Sequence, residues 1–216
     1  MPPAVHGSGM SDRWRAFYRD LDYDHCIYRE GEAMIDYLER FFERRGVPGT
    51  MLSVGCGPAV LEFEVAERYP EMAVTGVDVA EQVVEDARKR AADRGLPNLS
   101  FRVGELPDID LGERFDLVYC MATLYFVEDV AVGLRSLYDH VAPGGHLIAD
   151  YPTERLREWA ASQDEQTRAF FERVIDGENL TTAAEVASLF EQPVEEYGAV
   201  VDAGESLPDT VVVGKS

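Results

Sequence analysis

The sequence has little positive charge, and this scarcity excludes two classes of partner. Its 216 residues include 20 Lys and Arg against 41 Asp and Glu, a net charge of −21. Only Lys89 and Lys215 are lysines. Nucleic-acid binders and proteins on anionic membranes need a basic face. Because residues 1–45, 46–94 and 95–216 carry −2, −4 and −15, no part of the chain is net basic, and neither partner is predicted.

Cysteine is also scarce, and no apolar run is long enough to span a membrane. Cys26, Cys56 and Cys120 are far apart in sequence, so they predict neither a disulfide framework nor a zinc site. The first ten residues lack the basic and apolar regions of a signal peptide, and we interpret them as a flexible tail. These features together predict a cytoplasmic protein with no metal site.

The excess of acidic residues and the scarcity of lysine resemble the composition of cytosolic proteins from halophilic archaea. High net charge keeps a protein soluble but repels itself, and concentrated salt screens that repulsion. An acidic protein from a mesophile is the alternative that composition alone leaves open.

The apolar pattern alternates between strand and helix periods and predicts an α/β fold. An apolar stripe along residues 31–45 predicts a first core helix, which ends before Gly46 and Pro48. Helices are then predicted from Gly57 to about Tyr69, over 81–94 and over 128–141. Such alternation predicts a doubly wound, mostly parallel sheet with helices on both faces. The predicted strands are 50–54, 73–79, 99–103, 115–120, 146–151, 194–201 and 209–214.

The C-terminal part follows a different pattern from the repeated strand and helix units. Residues 154–175 have a helical pattern, and Thr182 to Glu185 is a capping box that begins another helix. The last two of the seven strands are close enough in sequence to pair as an antiparallel hairpin. We therefore predict one domain over residues 11–216, with an inserted helical segment at 152–181.

A glycine-rich loop after the first strand indicates where a ligand binds. Gly55 and Gly57 allow close approach of the backbone, and Asp78 ends the next strand 21 residues after Gly57. An acid at that strand end can accept hydrogen bonds from both hydroxyls of a ribose, which predicts a nucleoside-containing cofactor. An NAD(P)-dependent oxidoreductase is the alternative prediction. It is weakened because a nicotinamide dinucleotide normally requires a third glycine where Val60 stands.

Several segments, in order and spacing, resemble the class I S-adenosylmethionine-dependent methyltransferases. They are MLSVGCGPAVLEFEVAERYPEMAVTGVDVAEQVVEDARKRA, LSFRVGELPDI, ERFDLVYCMATLYFVED and LYDHVAPGGHLIADY. The resemblance covers roughly residues 30–152. It implies methyl transfer from S-adenosylmethionine to a small-molecule acceptor by in-line displacement, with S-adenosylhomocysteine as product.

The resemblance also implies which residues contact the cofactor. The two loop glycines face its amino-acid and ribose portions, and Asp78 holds the ribose hydroxyls. Glu105 stands near the family's acidic position for the adenine amino group, and Met121 lies near the methionine moiety. The positions carried over from the family are Ser53, Gly55, Gly57, Asp78, Val79, Glu105 and Met121.

The sequence departs from the family pattern at two loop positions. The family usually has an acid where Ser53 stands and a glycine where Ala59 stands. Because Ser53 supplies no carboxylate at this position, a third prediction stays open: a regulator that binds the cofactor but has no activity. No Asn/Asp-Pro-Pro-Tyr/Phe motif follows the fourth strand, which argues against the amino-group methyltransferases of bases and glutamine that resemble this family.

Residues 11–30 are predicted to form a lid, because related enzymes often cover the cofactor with an N-terminal segment. Within it, His25 is a candidate base, and Tyr18 or Tyr23 can close over the sulfonium, whose charge is attracted to aromatic faces. Tyr125, after the fourth strand, and Asp150, at the end of the fifth strand, are further candidates for catalysis on the acceptor side.

Overall fold

The computed structural model describes residues 10–20 and 31–216, which form a seven-stranded sheet with helices on both faces. The elements in chain order are α1 (Met10–Asp20), α2 (Gly31–Arg45), β1 (Thr50–Val54), α3 (Val60–Arg68), β2 (Ala73–Asp78), α4 (Glu81–Arg94), β3 (Leu99–Val103), β4 (Phe115–Cys120), α5 (Val130–Asp139), β5 (Val141–Asp150), α6 (Glu154–Ala161), α7 (Glu165–Phe170), α8 (Glu172–Ile175), α9 (Ala183–Ser188), β6 (Val194–Glu196), α10 (Tyr197–Val200) and β7 (Thr210–Gly214). Two short 3-10 turns lie at Leu124–Phe126 and Gly204–Ser206.

The strand order is β3-β2-β1-β4-β5-β7-β6. β1 to β5 are parallel, and β7 runs antiparallel to both β5 and β6. The predicted doubly wound sheet with a C-terminal antiparallel hairpin is therefore confirmed. Winding reverses between β1 and β4, and ligands in such sheets bind beyond the carboxyl ends of the strands at this point.

Each face of the sheet buries its own apolar core. One core contains side chains of α2, α3, α4 and α10, and the other contains those of α5 and α9. The stripe predicted on α2 is buried at Met34, Leu38, Phe41 and Phe42. Gly95 ends α4 in the left-handed conformation, which is common for a glycine at a helix C-terminus.

Three sequence-based boundaries were wrong. The strand predicted over 194–201 ends at Glu196, and α10 follows, because Tyr197, Val200 and Val201 are buried at helical spacing. The helix predicted over 154–175 is divided into α6, α7 and α8, since the Asp164 side chain accepts a hydrogen bond from the Thr167 amide and begins a new helix. The fifth strand also begins five residues earlier than predicted, at Val141.

No helix in the described ranges is long and apolar enough to cross a membrane.

Candidate active site

The glycine loop between β1 and α3 adopts backbone dihedral angles that are unfavourable for residues with a side chain. Gly55 and Gly57 have φ values of 76° and 49°, and Ala59 has 60°. A Cβ on Gly55 would lie 1.9 Å from Thr123 Oγ1, and one on Gly57 would lie 2.8 Å from the Tyr18 hydroxyl. Both glycines are thus required by close neighbours as well as by the backbone.

Asp78 holds this loop with the carboxylate that the sequence assigned to a ribose. Its Oδ2 accepts a hydrogen bond from the Gly57 amide and its Oδ1 accepts one from the Ala80 amide, both at 2.9 Å. Burial raises the pKa of Asp78, and these two N–H groups oppose that increase. A carboxylate has about four acceptor sites, so about two remain for ligand hydroxyls. The Asp78 carboxylate can therefore hold the loop and bind a ligand at the same time.

A cavity of about 1320 Å³ opens over the loop. Single small-molecule sites usually occupy about 300–1,000 Å³, so this one has room for two ligands. The predicted cofactor residues that line it are Tyr18, Gly55, Gly57, Asp78, Val79, Glu105 and Met121. The structure thus brings these seven together, and their contact with a cofactor stays a prediction.

Ser53 lies beneath the loop, and it is not one of the described residues that line the large cavity. Its Oγ donates a hydrogen bond to Glu62 Oε1 at 2.5 Å, and both side chains are buried. Burial raises the pKa of Glu62 to about 7, against the opposing effect of the Ser53 hydrogen bond. Sequence reasoning missed Glu62, although it lies between the apolar Leu61 and Phe63 at the start of α3. A carboxyl group is therefore present next to Ser53, carried by the helix instead of the strand.

Replacing Glu62 by glutamine is expected to stabilise the fold at alkaline pH by on the order of 2 kcal/mol. Folding raises the pKa of this carboxyl from 4.5 to about 7, so the folded state binds the proton more tightly. The resulting stabilisation is complete below the ordinary pKa of 4.5 and is lost as the pH rises through about 7. Glutamine retains an oxygen that accepts from Ser53 and does not ionise.

Thermal unfolding of this variant and the unmodified chain across that pH range measures the effect. The control is Glu64→Gln, which removes a charge from the partly exposed side of the same helix. A stabilisation by Glu62→Gln that is equal at pH 5 and pH 8.5 would contradict the assignment.

Glu105 connects the cavity to α1. Its carboxylate accepts a hydrogen bond from Arg15 Nη2 at 3.2 Å and another from the Ser11 hydroxyl. Tyr18, lower on the same helix, is buried and stacks on Trp14 with ring centroids 5.7 Å apart. The helix therefore forms one wall of the cavity, and the lid over residues 11–30 stays a prediction. His25 and Tyr23 lie outside the described residues.

Asp150 and Tyr125 are found together, behind the cavity wall. The Tyr125 hydroxyl donates to Asp150 Oδ2 at 2.5 Å, and the Ala122 amide lies 2.9 Å from both carboxylate oxygens. Burial raises the pKa of Asp150 to about 7. Neither side chain is among those lining the cavity. Their arrangement fixes the turn after β4, where Ala122 has a φ of 51°.

Aromatic side chains form the part of the cavity wall beyond the loop. Trp14 of α1 contacts Phe126 with ring centroids 4.9 Å apart, and Phe126 contacts Phe171 at 5.3 Å. All three line the cavity, together with Arg173 and Asn179. Sequence reasoning assigned none of these five residues to the site. No group of His, Cys, Asp and Glu within the described ranges could hold a metal ion.

Comparisons with known proteins agree with this geometry. The chain is 33% identical over 143 residues to a ubiquinone biosynthesis O-methyltransferase of Neisseria meningitidis serogroup C, with 65% of this chain and 58% of that protein covered. It is 33% identical over 128 residues to an aklanonic acid methyltransferase of Streptomyces sp. (strain C5), covering 58% and 56%. The chain spans about half the length of the curated relatives it matches, from 33% to 58%.

The fold has a solved counterpart over almost its whole length. The plantazolicin methyltransferase BpumL, in complex with a triazolic desmethylPZN analog and S-adenosylhomocysteine, superposes with a TM-score of 0.68. The alignment covers 96% of each chain at 11% identity, so it shows a shared fold. A family model described as a methyltransferase domain matches residues 48–191, two thirds of the sequence. The chain belongs to the class I, S-adenosylmethionine-dependent methyltransferase family.

Proposed function

We propose that the protein transfers a methyl group from S-adenosylmethionine to a small-molecule acceptor and releases S-adenosylhomocysteine. The observation that carries the proposal is the continuity of one cavity. The glycine loop and Asp78 form one part of it, and the aromatic wall forms another. A bound donor supplies an electrophilic methyl group on a sulfonium, so the protein's main task is alignment of the acceptor with that bond.

The arrangement of the loop and Asp78 supports donor binding. The loop and the Asp78 side chain line the cavity, and the unused acceptor sites of Asp78 suit two ribose hydroxyls. Positioning of two reactants in this way can lower a barrier by about 7–11 kcal/mol.

The catalytic candidates differ in how they can act. His25 is proposed as the base for an acceptor that must lose a proton. Asp150 and Tyr125 are proposed to act through the turn at Ala122, which they hold, because neither lines the cavity. A regulator that transfers no methyl group would bind the donor equally well. Measurement of turnover therefore distinguishes an enzyme from such a regulator.

Relatives support a small acceptor. Two are named for trans-aconitate and aklanonic acid, and others for malonyl-[acyl-carrier protein], an acceptor held on a protein. We propose the small-molecule class for this chain because the cavity has room for an acceptor beside the donor. A cytoplasmic location and adaptation to concentrated salt are further proposals, which depend on the cysteine pattern and the net charge of −21.

Calorimetric titration in molar potassium chloride tests the donor assignment. S-adenosylmethionine and S-adenosylhomocysteine are expected to bind at one site, and NADH is expected not to bind. Transfer of labelled methyl from the donor to members of a metabolite panel then tests activity. Binding of NADH without binding of S-adenosylmethionine would overturn the proposal. Tight donor binding with no transfer to any panel member would favour the regulator.

A further inference from the structure

A second, much smaller cavity lies directly under the glycine loop. Its volume is about 10 Å³, which is about the space that one water molecule needs. Three buried residues supply its polar side chains, namely Ser53, Glu62 and Tyr119. The loop and the end of β4 separate it from the large cavity, since five residues line both: Val54, Gly55, Cys56, Pro58 and Met121.

A structural role as a helix cap does not account for the Glu62 carboxyl group in this small cavity. Glu62 is the third residue of α3, and a glutamate there often accepts from the amide of the residue before the helix. That residue is Ala59, and its amide donates to the Cys56 oxygen at 2.9 Å instead. The carboxyl group of Glu62 accepts from Ser53 Oγ, and its side chain is 2% exposed.

The electrostatic surroundings leave this carboxyl group poised between its two protonation states. Burial is the largest effect and raises the pKa of Glu62 to about 7, while the hydrogen bonds from Ser53 and its own backbone amide oppose that increase. Asp78 of β2 raises the pKa further and Arg90 of α4 lowers it. The Cys56 thiol and the Tyr119 hydroxyl are the other titratable groups at the small cavity.

The ionised form of Glu62 has no counter-charge among the described residues. No basic side chain in residues 10–20 and 31–216 lies within 4 Å of its carboxyl oxygens. The guanidinium of Arg90 donates to the Pro58 oxygen and lies 4.7 Å from the centroid of the Phe63 ring. A buried carboxylate without a paired cation is costly, so a cation that arrives on the loop would be bound favourably.

We propose that Glu62 is the counter-charge for the ammonium group of the donor's amino-acid portion, which it reaches through a water molecule in the small cavity. The water donates one hydrogen to the carboxylate, and its oxygen accepts from an ammonium N–H. Interactions between charges are stronger across a buried loop than in bulk water. The carboxylate that Ser53 does not supply from the strand is then supplied by the helix. This inference rests on the proposed function, because it concerns the donor of the same reaction.

Two ligands that differ only in the amino group test the chemistry. They are S-adenosylhomocysteine and its analogue in which a hydrogen replaces the amino group, each titrated calorimetrically at pH 8. The unmodified protein is expected to bind S-adenosylhomocysteine about tenfold more tightly than the analogue. Equal affinity for the two ligands overturns the inference. Failure of both S-adenosylhomocysteine and S-adenosylmethionine to bind contradicts the proposed function instead.

The variant Glu62→Gln tests the residue assignment. It is expected to fold, because glutamine retains the acceptor for Ser53 and does not ionise, and to bind both ligands with affinities within about twofold of each other. The control is Glu64→Gln, which removes the same charge two residues further along α3 and lines neither cavity. It is expected to keep the tenfold preference. Equal weakening of both ligands by Glu62→Gln, including loss of both, shows that Glu62 only supports the loop and overturns the inference.

The pH dependence of binding gives a second, independent measurement. A cation near Glu62 favours its ionised form, so the affinity for S-adenosylhomocysteine is expected to fall as the pH falls through about 7. Burial also raises the pKa of Asp150 to about 7, so the informative quantity is the difference between proteins. Between pH 8 and pH 5.5 the loss of affinity is expected to be about tenfold smaller in Glu62→Gln. The same loss in both proteins overturns the inference.

Discussion

Replacing Asp78 by alanine is expected to lower the affinity for S-adenosylmethionine by about 100-fold or more. The carboxylate is assigned two hydrogen bonds to the ribose, and bonds to charged groups contribute about 1.5–3 kcal/mol each. The variant also loses the bonds to the Gly57 and Ala80 amides, so the loop loses its orientation. Calorimetric titration with donor and product measures the change.

A matched carboxylate at the opposite end of the sheet separates these two effects. Asp116 Oδ2 also accepts from two backbone amides, those of Gly49 and Thr50, at 3.0 and 2.9 Å. It lies at the start of β4, away from the cavity. Asp116→Ala is expected to destabilise the fold and to leave donor affinity unchanged. Equal donor affinity in folded Asp78→Ala and Asp116→Ala would remove Asp78 from the site.

Gly55→Ala is expected to abolish donor binding and to lower the melting temperature. The new Cβ would lie 1.9 Å from Thr123 Oγ1 and 2.9 Å from two other atoms of that side chain. The residue also has a φ of 76°, which costs a non-glycine residue about 1–2 kcal/mol. Relief of the contact requires movement of the loop or of the turn after β4, and both line the cavity.

The control for this prediction is Gly46→Ala. Gly46 has a φ of 92°, but a Cβ there meets nothing within 4 Å. It is expected to show only the backbone cost and full donor affinity. Thermal unfolding and titration of both variants give the comparison, and a Gly55→Ala protein that binds the donor normally would contradict the tight packing of the loop on Thr123.

The sequence predicted which loop and strand-end residues lie together because the signals for them are local. A strand of apolar residues, two glycines and an acid at the next strand end determine positions relative to the sheet, and the structure brings Gly55, Gly57 and Asp78 together. The carboxyl ends of parallel strands lie at the same edge of the sheet, so residues that are far apart in sequence become neighbours there. The same logic placed Asp150 at a strand end.

What the sequence did not predict depends on contacts between distant segments. Asp150 follows the strand-end rule, but the Tyr125 hydroxyl and the Ala122 amide bind it behind the wall. Glu62 is nine residues from Ser53, and only folding shows that the two meet. The strand predicted over 194–201 ends at Glu196, because the apolar residues that follow are buried at helical spacing.

The aromatic wall of the cavity and its glycine loop come from different parts of the chain. Trp14 belongs to α1 and Phe171 precedes α8, so both lie outside the sheet and the helices that connect its parallel strands. Gly55, Asp78 and Met121, by contrast, directly follow or end core strands. The proposed donor and acceptor regions are therefore carried by different parts of the chain. Exchange of residues 152–181 for a segment of different shape is expected to change which acceptor is used, while the strands proposed to hold the donor keep their sequence.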